Sequence, residues 1–186
     1  MNRKILAALA VLGAALLPAT SQAELANGAK APMFATQGAL AGKAFAFNLR
    51  AALRKGPVVL YFYPKAFTQG CTLEANAFAE ASDQFKAAGA SVLGMSADDL
   101  PTLQRFSTEA CRSRFPVAIA TPAIIKGYDV SLKKPDGTAT GLTSRTSYVI
   151  GQDGKIHMVY TNMDYKEHVA RTLATVKAIK GGHHHH

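Results

Sequence analysis

Cys71 is the residue of this chain whose type and setting most directly suggest chemistry. It follows an unbroken β-branched, aromatic and leucine run at 58–63 (Val-Val-Leu-Tyr-Phe-Tyr), which reads as a fully buried strand. Pro64 ends the run and Gly70 loosens the turn after it. From Cys71 onward Phe78, Ala81 and Phe85 recur with helical spacing. The thiol therefore belongs in the first turn of a helix, just past the carboxyl end of a central strand, where open α/β sheets place ligands and reacting groups. Unpaired amide N–H groups and the positive end of the helix dipole favour the thiolate there, and the thiolate is the nucleophilic form.

The other candidates are few. Cys111 is the second of two cysteines, and neither a C-x-x-C pair nor a common zinc spacing is present. His183, His184, His185 and His186 follow Gly181-Gly182 and read as a purification tag, or else a weak metal-binding tail (181–186), kept outside the fold. His157 and His168 remain, too few for a metal site by themselves. The formal net charge is +9, but no run of Lys or Arg exceeds a pair, so the basic residues read as solubility, not as a nucleic-acid groove.

The elements that must position Cys71 can be read from patterning. The chain has 186 residues, 48% of them hydrophobic, enough for one domain with a real core. Residues 1–23 read as a secretory signal peptide: Arg3 and Lys4, an apolar run at 5–17 too short to span a bilayer, then Ser21-Gln22-Ala23. The domain is expected over 24–180. It should open with a small N-terminal hairpin turned near Ala41-Gly42-Lys43, followed by the central strand and a helix over 71–87 capped by Gly89. A second buried strand is expected at 91–96, then a helix announced by Asp98-Asp99 and Pro101 with Cys111 near its end. A short strand at 115–120 leads into a Pro-containing segment through Tyr128 and an exposed loop at 133–141. Strands at 145–150 and 155–160 flank the turn Gly151-Gln152-Asp153-Gly154, and Asp164 with Glu167 suggests a capping box for the last helix. This order implies an α/β, thioredoxin-like fold: a mixed central sheet with helices on both faces and an N-terminal hairpin extension.

The segment Pro64-Lys65-Ala66-Phe67-Thr68-Gln69-Gly70-Cys71 resembles the peroxiredoxin signature P-x-x-x-[TS]-x-x-C. The surrounding Tyr61-Phe62-Tyr63 and Thr72-Leu73-Glu74 look like the bacterioferritin-comigratory, or Q-type, branch. Later matches are Val92-Leu93-Gly94-Met95-Ser96 and Arg145 heading Thr146-Ser147-Tyr148-Val149-Ile150. The resemblance implies an active site of Cys71, Thr68, Pro64 and Arg145, with Glu74 in a supporting hydrogen-bond role, and it implies no cofactor and no metal. The residue types suit the chemistry. A thiolate attacks one peroxide oxygen while the other leaves, and a helix start and a guanidinium stabilise charge on both partners. The Thr68 hydroxyl can both donate and accept, so it can orient the peroxide. Pro64, without an N–H, can wall the sulfur from water. Read without the motif, Thr68 is a helix cap, Arg145 a strand-end cation and Glu74 a solvated first-turn acid.

The sulfenic acid formed at Cys71 must then be resolved. Many Q-type relatives carry a resolving cysteine five residues downstream; here that position is Asn76. Others of the branch use a cysteine in the following helix, an arrangement that Cys111 fits. A resolving thiol, a buried spectator and a permanent structural bridge all remain open for Cys111. The reading that follows is a thiol-dependent peroxidase acting on hydrogen peroxide and organic hydroperoxides, reduced by an exported thioredoxin-like or other thiol donor. Its expected location is the periplasm, without membrane insertion or nucleic acid, as a monomer or weak dimer. A thioredoxin-fold disulfide oxidoreductase and a metal-binding envelope protein are the alternatives.

Overall fold

The structure is a computed structural model and describes residues 25–182. The signal-peptide reading of 1–23 and the final four histidines lie outside these residues.

The centre of the molecule is β3 (Val58–Phe62), each of whose five residues is buried. It pairs in parallel with β4 (Ser91–Ser96) and antiparallel with β8 (Thr146–Ile150). Outside these lie β5 (Val117–Ile119), parallel to β4, and β9 (Ile156–Thr161), antiparallel to β8. The hairpin β1 (Ala35–Leu40) and β2 (Lys43–Asn48) completes a seven-stranded mixed sheet of order β2-β1-β5-β4-β3-β8-β9. Ala41 and Gly42 both have positive φ (51° and 78°), the two-residue turn geometry that matches strand twist.

Alternation along β3 sorts the core into two halves. Val59 and Tyr61 face one side, with Phe78 of α2 (Gln69–Glu80), Phe85 of α3 (Ser82–Ala87), Leu103 and Phe106 of α4 (Leu100–Glu109) and Val176 of α6 (His168–Gly182). Val58, Leu60 and Phe62 face the other, with Leu49 and Leu53 of α1 (Leu49–Leu53) and Ile124 of α5 (Pro122–Gly127). Helices thus cover both faces, as the element order implied. Gly94 of β4 lies opposite Tyr61, and a Cβ built there would meet the Tyr61 ring at 2.8 Å. Tyr61 in turn stacks on Phe78 at 4.3 Å between centroids.

The expected N-terminal hairpin is present and joins the sheet at its edge, β1 pairing with β5. Several other expectations need correction. The helix expected over 71–87 is two, interrupted at Ala81. The Pro-containing segment holds α5, with Thr121 as N-cap and Pro122 in the first turn, where its missing N–H costs nothing. The loop expected at 133–141 carries a second hairpin, β6 (Ser131–Lys133) with β7 (Ala139–Thr143). No capping box forms at Asp164 and Glu167: the Asp164 carboxylate accepts from the Lys166 N–H, while Glu167 pairs with Arg171.

Candidate active site

Helix α2 begins with Thr68 at the N-cap, so Cys71 is its third residue and its N–H belongs to the first turn, where no intrahelical acceptor exists. The cysteine is buried, 1% exposed, and its thiol is free. Across the sheet, antiparallel pairing sets Thr146 opposite Phe62, so Arg145 falls beside the carboxyl end of β3. From there its Nη2 donates to the Cys71 sulfur at 3.6 Å. The spacing of Glu74 from Cys71 puts it one turn along the same helix face, fully buried, where it accepts from Arg145 Nη1. The third guanidinium nitrogen, Nε, donates to the Met163 carbonyl at 2.9 Å. All three nitrogens of Arg145 are thereby engaged, two of them fixing the direction in which the other meets the sulfur.

Gly70 is helical, so it does not loosen a turn. It leaves room: a Cβ there would lie 3.1 Å from Arg145 Nη2. Burial alone would lower the Arg145 pKa, but the adjacent Glu74 and Cys71 outweigh it and the net direction is up. Burial pushes the Glu74 carboxyl up to about 8, against the charge and hydrogen bond of Arg145.

Thr68 and Pro64 sit in the loop between β3 and α2. Pro64 is half-buried directly after Tyr63. The Thr68 hydroxyl donates to the Lys65 carbonyl at 2.9 Å and makes no side-chain cap. The loop contains Phe67 with φ of +64°, an uncommon conformation for a residue with a side chain. It is fixed by Asp98, whose Oδ2 accepts from the Ala66 N–H at 2.8 Å and from the Ser96 hydroxyl at 2.7 Å. Asp99 alone caps α4, accepting from the Thr102 N–H. A pair of consecutive acids before a helix that needs one cap was the available sign that Asp98 does something else.

Cys111 follows α4 and is fully buried and free. It shares the apolar cluster of Tyr61, Tyr63, Phe78 and Phe106 with Cys71. Burial pushes its thiol well up, away from the thiolate. His168, the first residue of α6, is another fully buried group beside the site, with Nδ1 3.8 Å from Glu74 Oε1. Among the described residues, no three or more His, Cys, Asp or Glu are grouped to hold a metal ion. No helix of these residues is long and apolar enough to cross a membrane.

The AhpC/TSA family model matches residues 27–159, more than half of the chain. This chain belongs to the AhpC/TSA family. Peroxiredoxin Q of Arabidopsis thaliana, a chloroplastic protein, is 35% identical over 124 residues, covering 64% of this chain and 54% of the relative. The chain thus spans about half the length of the curated relatives it matches. Among solved structures, the peroxidoxin BcpB of Mycobacterium tuberculosis superposes with a TM-score of 0.72 at 30% identity, covering 82% of this chain and 97% of that one. The bacterioferritin comigratory protein of Xanthomonas campestris, studied for its alkyl peroxide reduction, superposes with a TM-score of 0.67 at 27% identity, covering 77% and 91%.

These likenesses bear out the Q-type peroxiredoxin resemblance and the thioredoxin-like fold within the AhpC/TSA family. They overturn the expected periplasmic location, since the curated relatives are chloroplastic by name. That expectation rested on the composition of 1–23 alone, a stretch that precedes the part matched to the family.

Proposed function

We propose that this chain is a thiol-dependent peroxidase in which Cys71 reduces hydrogen peroxide and organic hydroperoxides. The observation that carries this reading is the Arg145 Nη2 donor 3.6 Å from a buried sulfur at a helix start. In the first step the Cys71 thiolate attacks one peroxide oxygen. An S–O bond forms, the O–O bond breaks, and the departing alkoxide or hydroxide takes up a proton. Sulfur is oxidised by two electrons to a sulfenic acid. Arg145 and the first-turn amides meet charge both on the sulfur and on the peroxide oxygens. Glu74 and the Met163 carbonyl hold the guanidinium, Pro64 and Ala66 wall the loop, and the Thr68 hydroxyl, released from Lys65, receives the peroxide.

Cys111 is the resolving thiol in this reading. Its sulfur attacks the sulfenic acid, an S–S bond forms and water leaves. A thioredoxin-like or other dithiol then returns both cysteines to thiols. A disulfide needs Cα atoms within about 7 Å, and in this reading the end of α4 opens to deliver Cys111. The shared apolar cluster of both cysteines supports this route. The chain works as a monomer or weak dimer, which sedimentation of the reduced protein would test.

The test is mass spectrometry of prereduced protein after one equivalent of peroxide. Loss of two hydrogens with a Cys71–Cys111 linked peptide is expected. A sulfenic acid persisting beside free Cys111 would replace internal resolution with an outside thiol. Peroxide left unconsumed would sink the peroxidase reading itself.

A further inference from the structure

His168 takes no part in the chemistry above, yet it is fully buried, 3.8 Å from the Glu74 carboxyl and hydrogen-bonded to Asn162, the residue before Met163. Its Nε2 donates to the Asn162 carbonyl at 2.9 Å, so the proton of a neutral ring lies on that nitrogen. Its Nδ1 is then the acceptor for the Ser147 hydroxyl at 2.8 Å. Asn162 adjoins Met163, whose carbonyl holds Arg145 Nε, and the Asn162 N–H itself donates to the Arg145 carbonyl at 3.1 Å. On the opposite side Nδ1 lies 3.8 Å from Glu74 Oε1, a buried oxygen without a hydrogen-bond partner among the described residues. The Ser147 proton is directed to the ring, and the other oxygen of the Glu74 carboxyl, Oε2, accepts from the guanidinium.

Tyr160 of β9 packs its ring edge against the imidazole at 4.8 Å, and Arg171 of α6 lies over that tyrosine at 4.4 Å. The charged groups around the ring are Arg145, Glu74, Asp164 and Arg171. Burial lowers the pKa of His168, with Arg145 and Arg171 acting in the same direction, which fits an imidazole held neutral.

We propose that His168 is a positioning residue for Arg145, fixing the Asn162 carbonyl next to Met163 on one side and packing against Glu74 on the other, and so setting the guanidinium against the Cys71 sulfur. It touches neither sulfur nor peroxide. A guanidinium whose anchors move by a fraction of its 3.6 Å approach no longer favours negative sulfur to the same degree.

The inference rests on the peroxidase reading for its rate measurement, but a second readout follows the sulfur directly. In a Cys111→Ser background, iodoacetamide alkylation of Cys71 is followed against pH, together with the rate constant for peroxide and thermal unfolding. In His168→Phe the alkylation midpoint is expected to move to higher pH and the peroxide rate constant to fall about tenfold, the scale of a small misplacement of a catalytic group. His168→Gln, whose amide N–H can still reach the Asn162 carbonyl, is expected to recover most of both.

A folded His168→Phe with the wild-type alkylation profile overturns the inference, whatever its melting temperature. If His168→Phe does not fold, His168→Asn replaces it, keeping a partner for Ser147 while losing reach to Asn162. A shifted profile then supports the inference and an unshifted one overturns it. A wild type inert to peroxide, with an alkylation profile that shifts in the variant, sinks the peroxidase reading and leaves this inference standing.

Discussion

The two cysteines lie in one apolar cluster but in opposite electrical settings. Cys71 opens a helix and meets a guanidinium held by a carboxylate and a carbonyl. Cys111 closes a helix, its N–H and that of Ala110 both donating to the Phe106 carbonyl. It sits near the buried hydroxyls of Tyr61 and Tyr63. The two residues after Cys111, Arg112 and Ser113, both have positive φ (50° and 55°). Each such conformation costs about 1 kcal/mol or more. The exposed ion pairs Arg112–Glu80 and Arg114–Asp83 tie this segment to the neighbouring helices. One sulfur is equipped where it stands. The other is a buried, free thiol at the start of a segment with two left-handed residues and two surface ion pairs, and in the proposed route it acts only by leaving its place.

The largest effect that could break this contrast comes from the sulfurs themselves. Cys71→Ser should abolish peroxide consumption, while Cys111→Ser should keep one fast turnover per chain and lose cycling with a dithiol; stopped-flow consumption at limiting peroxide separates them. Next, Arg145→Met should slow the first turnover by about 10²-fold, the usual cost of losing one preorganised donor, with no change in the later resolution step. On the apolar side, Phe106 stacks on Tyr63 at 5.3 Å and meets Phe67 edge-on at 5.2 Å. Phe106→Ala should cost about 3–5 kcal/mol in denaturant unfolding and speed disulfide formation by loosening α4.

Charge should register on one side only. A carboxyl raised on folding contributes stability that is full below the unfolded value of about 4.5 and is lost as pH climbs towards about 8. Glu74→Gln should flatten the melting temperature across that window, and Cys111→Ala should not. The smallest effect is expected at the tether. Asp83→Ala removes a surface ion pair worth about 0.5 kcal/mol, so its trace would be a modest gain in the rate of disulfide formation.

What could be read in advance followed locality. The strand at 58–63, the strand at 91–96 and the Ala41-Gly42 turn follow from side-chain type and short spacing, and the sheet uses them nearly as written. Arg145 was legible only through the family resemblance of the strand it heads, and the pairing of that strand with β3 is what brings it to Cys71. Helix α5 was hidden by its shortness: six residues bounded by Pro122 and Gly127 give too few turns for a periodic signal. Asp164 and Glu167 matched a cap pattern, but each has a nearer partner in Lys166 and Arg171. His168 had no sign at all, since Ser147, Asn162 and Glu74 reach it from three separate stretches and only tertiary packing assembles them.

Gly94 is far from either sulfur in the chain but not in its effect. With the Tyr61 ring pressed over it, even one methyl group there has nowhere to go except into the aromatic layer. Tyr61 would be driven against Phe78 and Phe115, which it already contacts at 4.3 and 6.0 Å. A glycine on a buried strand therefore acts as the floor of the aromatic layer in which both thiols are packed, and the height of that floor is set from beneath by a hydrogen atom.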